Sequence, residues 1–228
     1  MYHGTGAGML TVVPPVPAPM IDVVIPAHNA AATLARLLRA IPPRTVRSTV
    51  VVDRASTDRT AELARDGCAL VLREPTGGYG AACLRAQAHF SSLPRVPDIV
   101  AFIPGDRPAS AAALAELIAP ITDRNVELVL GADRGKRDFR ARLVTGLIDT
   151  VYRHRWSGVG PVRAVRFPAL IALGMSDRSS GWDVEMLVRA VKIGLSCDEV
   201  ALPDETSQDR PRPLGRALLH ILRHATMR

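Results

Sequence analysis

Little in this chain is built to stack on bases, cross a bilayer or staple a secreted fold. Aromatic residues make up 4% of the 228. None interleaves with a basic cluster, so a stacking platform for single-stranded nucleic acid is set aside. Three cysteines, Cys68, Cys83 and Cys197, lie far apart without a C-x-x-C or an even pairing, the usage of a reduced, cytoplasmic chain with structural thiols. No uninterrupted apolar run approaches the length of a membrane span. The nearest candidate, residues 9–27, is broken by Pro14, Pro15, Pro17, Pro19 and Pro26, and it lacks the basic flank of a signal peptide. Acids are the scarcer charge: 22 Asp+Glu against 29 Lys+Arg leave +7, which favours phosphates, nucleotides or an acidic membrane surface as partners.

What is present is ordinary globular material, 47% hydrophobic and 22% charged, enough for one domain with one core. Residues 1–19 read as a Pro/Gly-rich leader, 20–202 as the folded domain, and 203–228 as a charged loop followed by a basic amphipathic helix. In that last segment Leu214, Ala217, Leu218, Ile221 and Leu222 recur at helical spacing among Arg216, His220, Arg223 and His224. Such a helix packs on its own domain or lies on an anionic membrane, the second reading giving a peripheral location at the inner membrane face. His220 and His224, with no Glu between them and no third ligand, read as a solvated face.

Within the domain, short apolar runs alternate with helical patterns: strands at 21–25, 49–52, 69–72, 99–103 and 126–130, helices at 31–40, 60–65, 81–90 and 110–119. Continuously apolar strands separated by helices predict a mainly parallel α/β sheet with helices on both faces. The second half reads differently: a flexible loop over 133–142, a helix over 143–152, an antiparallel or edge strand over 161–167, a helix over 183–193 and a last strand over 197–202. Asn29, Asp53, Glu74 and Asp106 fall at the ends of four strands. In open α/β sheets ligands bind along that edge, although Asn and Asp also serve as plain turn-formers there.

The segments IDVVIPAHNAAATL, VVVDRASTDRTAELA, REPTGGYGAACLRA, VAFIPGDRPA, LVLGAD, GVGPVRAVRFPALIALGM and GWDVEMLVRAVKIGL resemble, in order, family 2 glycosyltransferases of the GT-A fold. They are most similar to bacterial proteins akin to dolichyl-phosphate mannose and glucose synthases. The resemblance implies transfer of a sugar from a UDP- or GDP-sugar to a polyprenyl phosphate or other small acceptor. It places base and ribose on Pro26, Ala27, Asn29 and Asp53, with Ser56 and Asp58 either in the same site or only capping a helix. Gly78 and Gly80, at a helix start, would let backbone N–H groups approach the donor. Asp106 matches the second carboxylate of an Asp-x-Asp motif holding Mg²⁺ or Mn²⁺ against the diphosphate. Arg163 and Arg166 are candidates for donor or acceptor phosphate, against the plainer reading of arginines solvated on an exposed strand. Asp183 and Glu185, at a Gly-Trp-x-x-Glu-Met helix start, are the acids to face the acceptor: an ionised phosphate needs no strong base, whereas a sugar hydroxyl does.

Four polar positions of that pattern are missing. The first carboxylate of Asp-x-Asp is Pro104, the acid expected after Asn29 is Ala30, the Asp before the Leu-Gly-Pro turn is Gly158, and the Ser-Lys-x-Ser segment is replaced over 208–213. One carboxylate with waters and substrate phosphates still suffices for Mg²⁺, so a weakened metal site is expected. The alternative reading is a catalytically impaired homologue that binds nucleotide or a partner without turnover. A sugar-nucleotidyltransferase would need a Gly-rich basic loop where Pro26-Ala27-His28-Asn29 stands.

Overall fold

The computed structural model describes residues 17–75, 78–133, 139–152, 156–203 and 205. The amphipathic segment 214–228, the histidines within it, Gly77 and most of the leader lie outside the described residues. Seven strands form one sheet: β1 (Ile21–Ala27), β2 (Ser48–Asp53), β3 (Leu70–Arg73), β4 (Ile99–Phe102), β5 (Leu128–Asp133), β6 (Arg163–Arg166) and β7 (Cys197–Leu202). Their order is β3-β2-β1-β4-β6-β5-β7. All pairings are parallel except those of β6, which runs antiparallel to both β4 and β5. A mainly parallel α/β sandwich is therefore what the apolar runs encode.

Alternate residues of each strand feed two cores. Val24, Val50, Val52, Val100, Phe102, Leu130 and Val165 face α3 (Tyr79–Ser91), α6 (Phe139–Tyr152), α7 (Phe167–Ala172) and α8 (Trp182–Lys192). Val23, Ile25, Val51, Ala101, Ile103, Val129 and Ala164 face α1 (Ala31–Ala40), α2 (Thr60–Asp66), α4 (Pro108–Ala112) and α5 (Leu114–Arg124). Burial on both faces is why these strands carry no polar alternation.

Two expectations need correction and a third is narrowed. The single helix over 110–119 is two, α4 and α5, separated at Ala113. The second continues through Pro120 to Arg124, where Asn125 ends it in the left-handed region at φ 58°; a short polar side chain tolerates that conformation. The loop over 133–142 is partly helix, since α6 begins at Phe139. Of the two readings of the strand around 161–167 the antiparallel one holds and the edge one does not, since it lies inside the sheet between β4 and β5 with Arg163, Ala164 and Val165 fully buried.

Candidate active site

Backbone pairing lines up the strand ends. Ala27 stands opposite Asp53, and Asp53 opposite Arg73. Beyond the last paired residues the chains stay joined: the Arg54 N–H donates to the Ala27 carbonyl at 2.9 Å, the Glu74 N–H to the Asp53 carbonyl at 2.9 Å, and the Gly105 N–H to the Pro26 carbonyl at 3.1 Å. Pro26, Ala27, Asn29, Asp53, Glu74 and Asp106 thus share the carboxyl edge of β1, β2, β3 and β4.

The loops after β1 and β2 are stitched together by side chains. The Asn29 N–H donates to Ser56 Oγ at 2.9 Å, and Asn29 Oδ1 accepts the Thr57 N–H at 2.9 Å. The Ala30 N–H donates to Thr60 Oγ1 at 2.8 Å, the Ala31 N–H to Asp58 Oδ2 at 3.0 Å. Asp58 therefore supplies, from a neighbouring loop, the carboxylate that α1 lacks at Ala30. Burial raises its pKa, but the hydroxyl of Thr60 and the N–H groups of Ala31 and Thr60 outweigh that and hold the carboxyl below its usual value. Asn29, at φ 50°, is the residue type that this bend tolerates.

Asp53 is 5% exposed. Its Oδ1 accepts the Ser56 N–H at 3.2 Å, while Oδ2 has no hydrogen-bond partner among the described residues. Oδ2 is not among the buried polar atoms left without a partner: it is open at the strand edge, where a ligand hydroxyl can donate to it. Asp106 stands half-buried on the turn after β4. That turn is closed by the Arg107 N–H on the Pro104 carbonyl at 3.0 Å and seated on α1 by Thr33 Oγ1, which donates to the Gly105 carbonyl at 2.7 Å. A Cβ at Gly105 would stand 3.1 Å from the Cβ atoms of both Ala27 and Ala30, so small residues at all three positions let the two loops close on each other. Among the described residues no group of three His, Cys, Asp or Glu could hold a metal. A single carboxylate fits a cation shared with substrate phosphates and does not fit a resident all-protein centre.

The second half of the sequence-derived site is built differently. Because β6 is antiparallel, Arg163 lies opposite Phe102 at the carboxyl edge whereas Arg166 lies opposite Ile99 at the other end of the sheet. Arg166 is thereby removed from the site: it donates to the Ile121 carbonyl at 2.7 Å and to Asn125 Oδ1 at 2.8 Å, tying the end of α5. Arg163 reaches the right edge but is fully buried, not solvated on an exposed strand. Its guanidinium pairs with the Asp183 carboxylate at 2.9 Å, both side chains 1% exposed, and donates to the carbonyls of Gly160 and Asp183. The pair fastens β6, the 156–160 segment and the start of α8 to one another.

Glu185 is likewise spent on structure. Its carboxylate accepts the Ser176 hydroxyl at 2.6 Å and the Asp177 N–H at 2.8 Å, and it pairs with Arg189 at 3.0 Å. Burial pushes its pKa up, yet the Ser176 and Asp177 hydrogen bonds and the Arg189 charge more than compensate, so the carboxyl is held below its usual value. The segment it pins, 176–181, covers the start of α3. There the Gly78 N–H donates to the Arg178 carbonyl at 3.1 Å, the Gly80 N–H to the Ser179 carbonyl at 2.9 Å and the Ala81 N–H to the Arg178 carbonyl at 2.9 Å. The N–H groups that the resemblance turns toward the donor are thus taken by chain carbonyls. The two glycines serve that close approach: a Cβ at Gly80 would fall 2.1 Å from the Asp177 carbonyl oxygen, one at Gly78 2.9 Å from that of Arg178.

Sequence reading missed Glu205, whose carboxylate accepts the Ser110 N–H at 2.9 Å and the Ser110 hydroxyl at 2.8 Å. Nothing local marks it, since its partners are 95 residues away. It also missed a cleft of about 480 Å³ lined by Arg142, Thr145, Gly146, Asp149, Trp156, Ser157 and Glu199, which includes none of the site residues above.

Comparison with known proteins gives a consistent result. The model of the family described as glycosyl transferase family 2 matches residues 22–159. Uncharacterized glycosyltransferases of Mycobacterium tuberculosis and Mycobacterium bovis are 36% identical over 190 residues, covering 76% of this chain and 80% of each relative. Among solved structures, Mycobacterium tuberculosis glucosyl-3-phosphoglycerate synthase in complex with phosphoglyceric acid superposes with a TM-score of 0.77 at 23% identity, covering 91% of this chain and 80% of that one. The same enzyme in complex with Mn²⁺, UDP and glucosyl-3-phosphoglycerate gives 0.73 at 23% identity, again covering 91% and 80%. At that identity the structural likeness is one of fold.

Proposed function

Because this chain belongs to glycosyl transferase family 2, we propose that it moves a sugar from a uridine diphosphate sugar to a phosphorylated acceptor whose attacking oxygen is already ionised. Asp53 carries the donor half of this reading. A largely buried carboxylate with one oxygen left accessible at the mouth of β1 and β2 suits a ribose hydroxyl. Asn29 and the 26–27 backbone would flank the base, and Asp106 would hold a divalent cation, Mg²⁺ or Mn²⁺, shared with the diphosphate. Such a cation neutralises the charge that the departing nucleoside diphosphate gains as the glycosidic bond breaks. The solved structures of similar fold that contain UDP with Mn²⁺ support the choice of nucleotide and metal.

The acceptor half rests on which acids are engaged. A hydroxyl nucleophile needs a base within reach, and the two acids nominated for that task are occupied. Asp183 neutralises Arg163, and Glu185 holds Ser176, Asp177 and Arg189. A phosphate oxygen is ionised at neutral pH and needs only to be aligned. Phosphoglyceric acid, bound in a solved structure of similar fold, carries a hydroxyl as well as a phosphate, so it supports a small phosphorylated acceptor and leaves the choice of attacking oxygen to the engaged acids.

The test is to incubate the protein with UDP-glucose, other UDP-sugars and GDP-sugars, with Mn²⁺ or Mg²⁺, and with phosphoglyceric acid, a polyprenyl phosphate or an unphosphorylated sugar. Released nucleoside diphosphate and the mass of the product are measured. Release that requires both cation and a phosphorylated acceptor is expected. Equal release with the unphosphorylated sugar, or a phosphoglyceric acid product whose phosphate is still a monoester removable by phosphatase, contradicts the acceptor assignment. UDP that binds, seen as protection against thermal unfolding, without turnover on any acceptor identifies the impaired homologue instead.

A further inference from the structure

We infer that Glu205 is a positioning residue for Asp106, holding from the far side the turn that presents this carboxylate. The role rests on reading Asp106 as the cation-holding acid. The turn over 104–107 has two flanks. On the β1 side it is fixed by the Gly105 N–H on the Pro26 carbonyl and by Thr33 on the Gly105 carbonyl. On the other side the chain enters α4 at Pro108, which has no N–H to give. The next two N–H groups, Ala109 and Ser110, both donate to Glu205, one to each carboxylate oxygen at 2.5 and 2.9 Å, and the Ser110 hydroxyl adds a third bond at 2.8 Å.

α4 cannot hold this flank unaided. It is five residues long and interrupted at Ala113, too short for a helix to repay the entropy of its own first turn. Ser110 is fully buried, so removing the carboxylate would leave its N–H and hydroxyl without the partner they now have. The carboxylate also comes from a distant part of the fold. β7 and β4 are separated in the sheet by β5 and β6, and Glu205, which follows β7 in the chain, contacts the start of α4. Glu205 is thereby coupled to the turn that bears Asp106. Outer partners that orient a metal-holding side chain typically change metal affinity about 10–100-fold when removed.

The experiment titrates UDP calorimetrically into the full chain, with and without Mn²⁺, for wild type, Glu205→Ala, Glu205→Gln, Asp106→Asn and the Glu205→Ala/Asp106→Asn double variant, with unfolding midpoints alongside. In wild type Mn²⁺ strengthens UDP binding. Glu205→Ala is expected to keep the metal-free affinity and to lose about tenfold of the Mn²⁺-dependent gain. Glu205→Gln, which keeps one acceptor oxygen, is expected to fall between them. Asp106→Asn abolishes the gain, and the double variant loses nothing further. Where Glu205→Ala does not fold, Ser110→Ala replaces it, with a smaller loss of the same kind. A lowered midpoint with the full Mn²⁺ gain retained makes Glu205 merely structural and overturns the inference, leaving Asp106 in place. Indifference of wild type to Mn²⁺ overturns the reading of Asp106 itself.

Discussion

Removing the charge of Asp183 should unfold this protein at a markedly lower temperature while leaving nucleotide recognition to the surviving fold. The Arg163 guanidinium is buried at the carboxyl edge, its counter-charge is the Asp183 carboxylate at 2.9 Å, and both side chains are 1% exposed. Asp183→Asn strands a cation away from water with only carbonyls around it. Breaking one side of such a buried pair costs about 3–5 kcal/mol. At about 2–4 °C per kcal/mol for a chain of this size, the midpoint should fall by roughly 6–20 °C. Arg163→Met should do the same from the other side, and Arg163→Met combined with Asp183→Leu should recover most of the loss, since apolar pairs of similar volume often replace buried ion pairs without penalty. Thermal unfolding followed by circular dichroism, with UDP titrations on each variant, separates the possibilities. If Arg163→Met keeps the wild-type midpoint and only weakens UDP, the guanidinium serves a phosphate and the structural assignment of the pair is wrong.

Three further outcomes follow from the same contacts. Gly80→Ala places a Cβ 2.1 Å from the Asp177 carbonyl oxygen and must displace the 176–181 segment, losing three backbone hydrogen bonds worth about 1 kcal/mol each against about 1 kcal/mol of helix propensity gained; urea unfolding should show a net loss of about 2 kcal/mol, and an unchanged midpoint would contradict the packing. Glu185 has its pKa lowered in the fold, so it stabilises above the unfolded-state value of roughly 4.3 and stops doing so as pH falls through the folded value. Urea midpoints of wild type should therefore drop more steeply than those of Glu185→Gln below that pH, and parallel curves would refute the assignment. Burial, with Asp183 adding to it, pushes the Cys83 thiol well up, and burial followed by Glu127 pushes Cys197 up to about 12. Iodoacetamide at pH 8 should thus label only exposed Cys68 in the folded protein, and mass spectrometric detection of labelled Cys83 would contradict it.

The parallel half of the sheet was legible because each strand there is an uninterrupted apolar run ended by a polar turn. The helix over 31–40 and the strand over 197–202 coincide with α1 and β7, and Asn29, Asp53, Glu74 and Asp106 do share an edge. The alternation over 161–167 leaves an antiparallel strand and an edge strand open; the antiparallel one holds, and that course decides that Arg163 reaches the carboxyl edge and Arg166 the opposite one. A Gly-x-Gly at a helix start reads as an anion cradle when the helix is viewed alone, and only the distant 177–179 segment shows that those N–H groups have internal partners. Glu185 and Asp183 read as candidate reactive acids for the same reason: acids at a helix start look alike in sequence whether they face a substrate or, as here, Ser176 and Arg163. Glu205 acquires its place only through Ala109 and Ser110, partners far away in sequence that no local pattern records.

A crystal of the protein grown with UDP and Mn²⁺, with diffraction collected to locate manganese by its anomalous signal, addresses the donor site most directly. A single manganese peak is expected within coordination distance of the Asp106 carboxylate and of both UDP phosphates, with a ribose hydroxyl on Asp53 Oδ2. UDP seated elsewhere, or a manganese ion bound without Asp106, would contradict it.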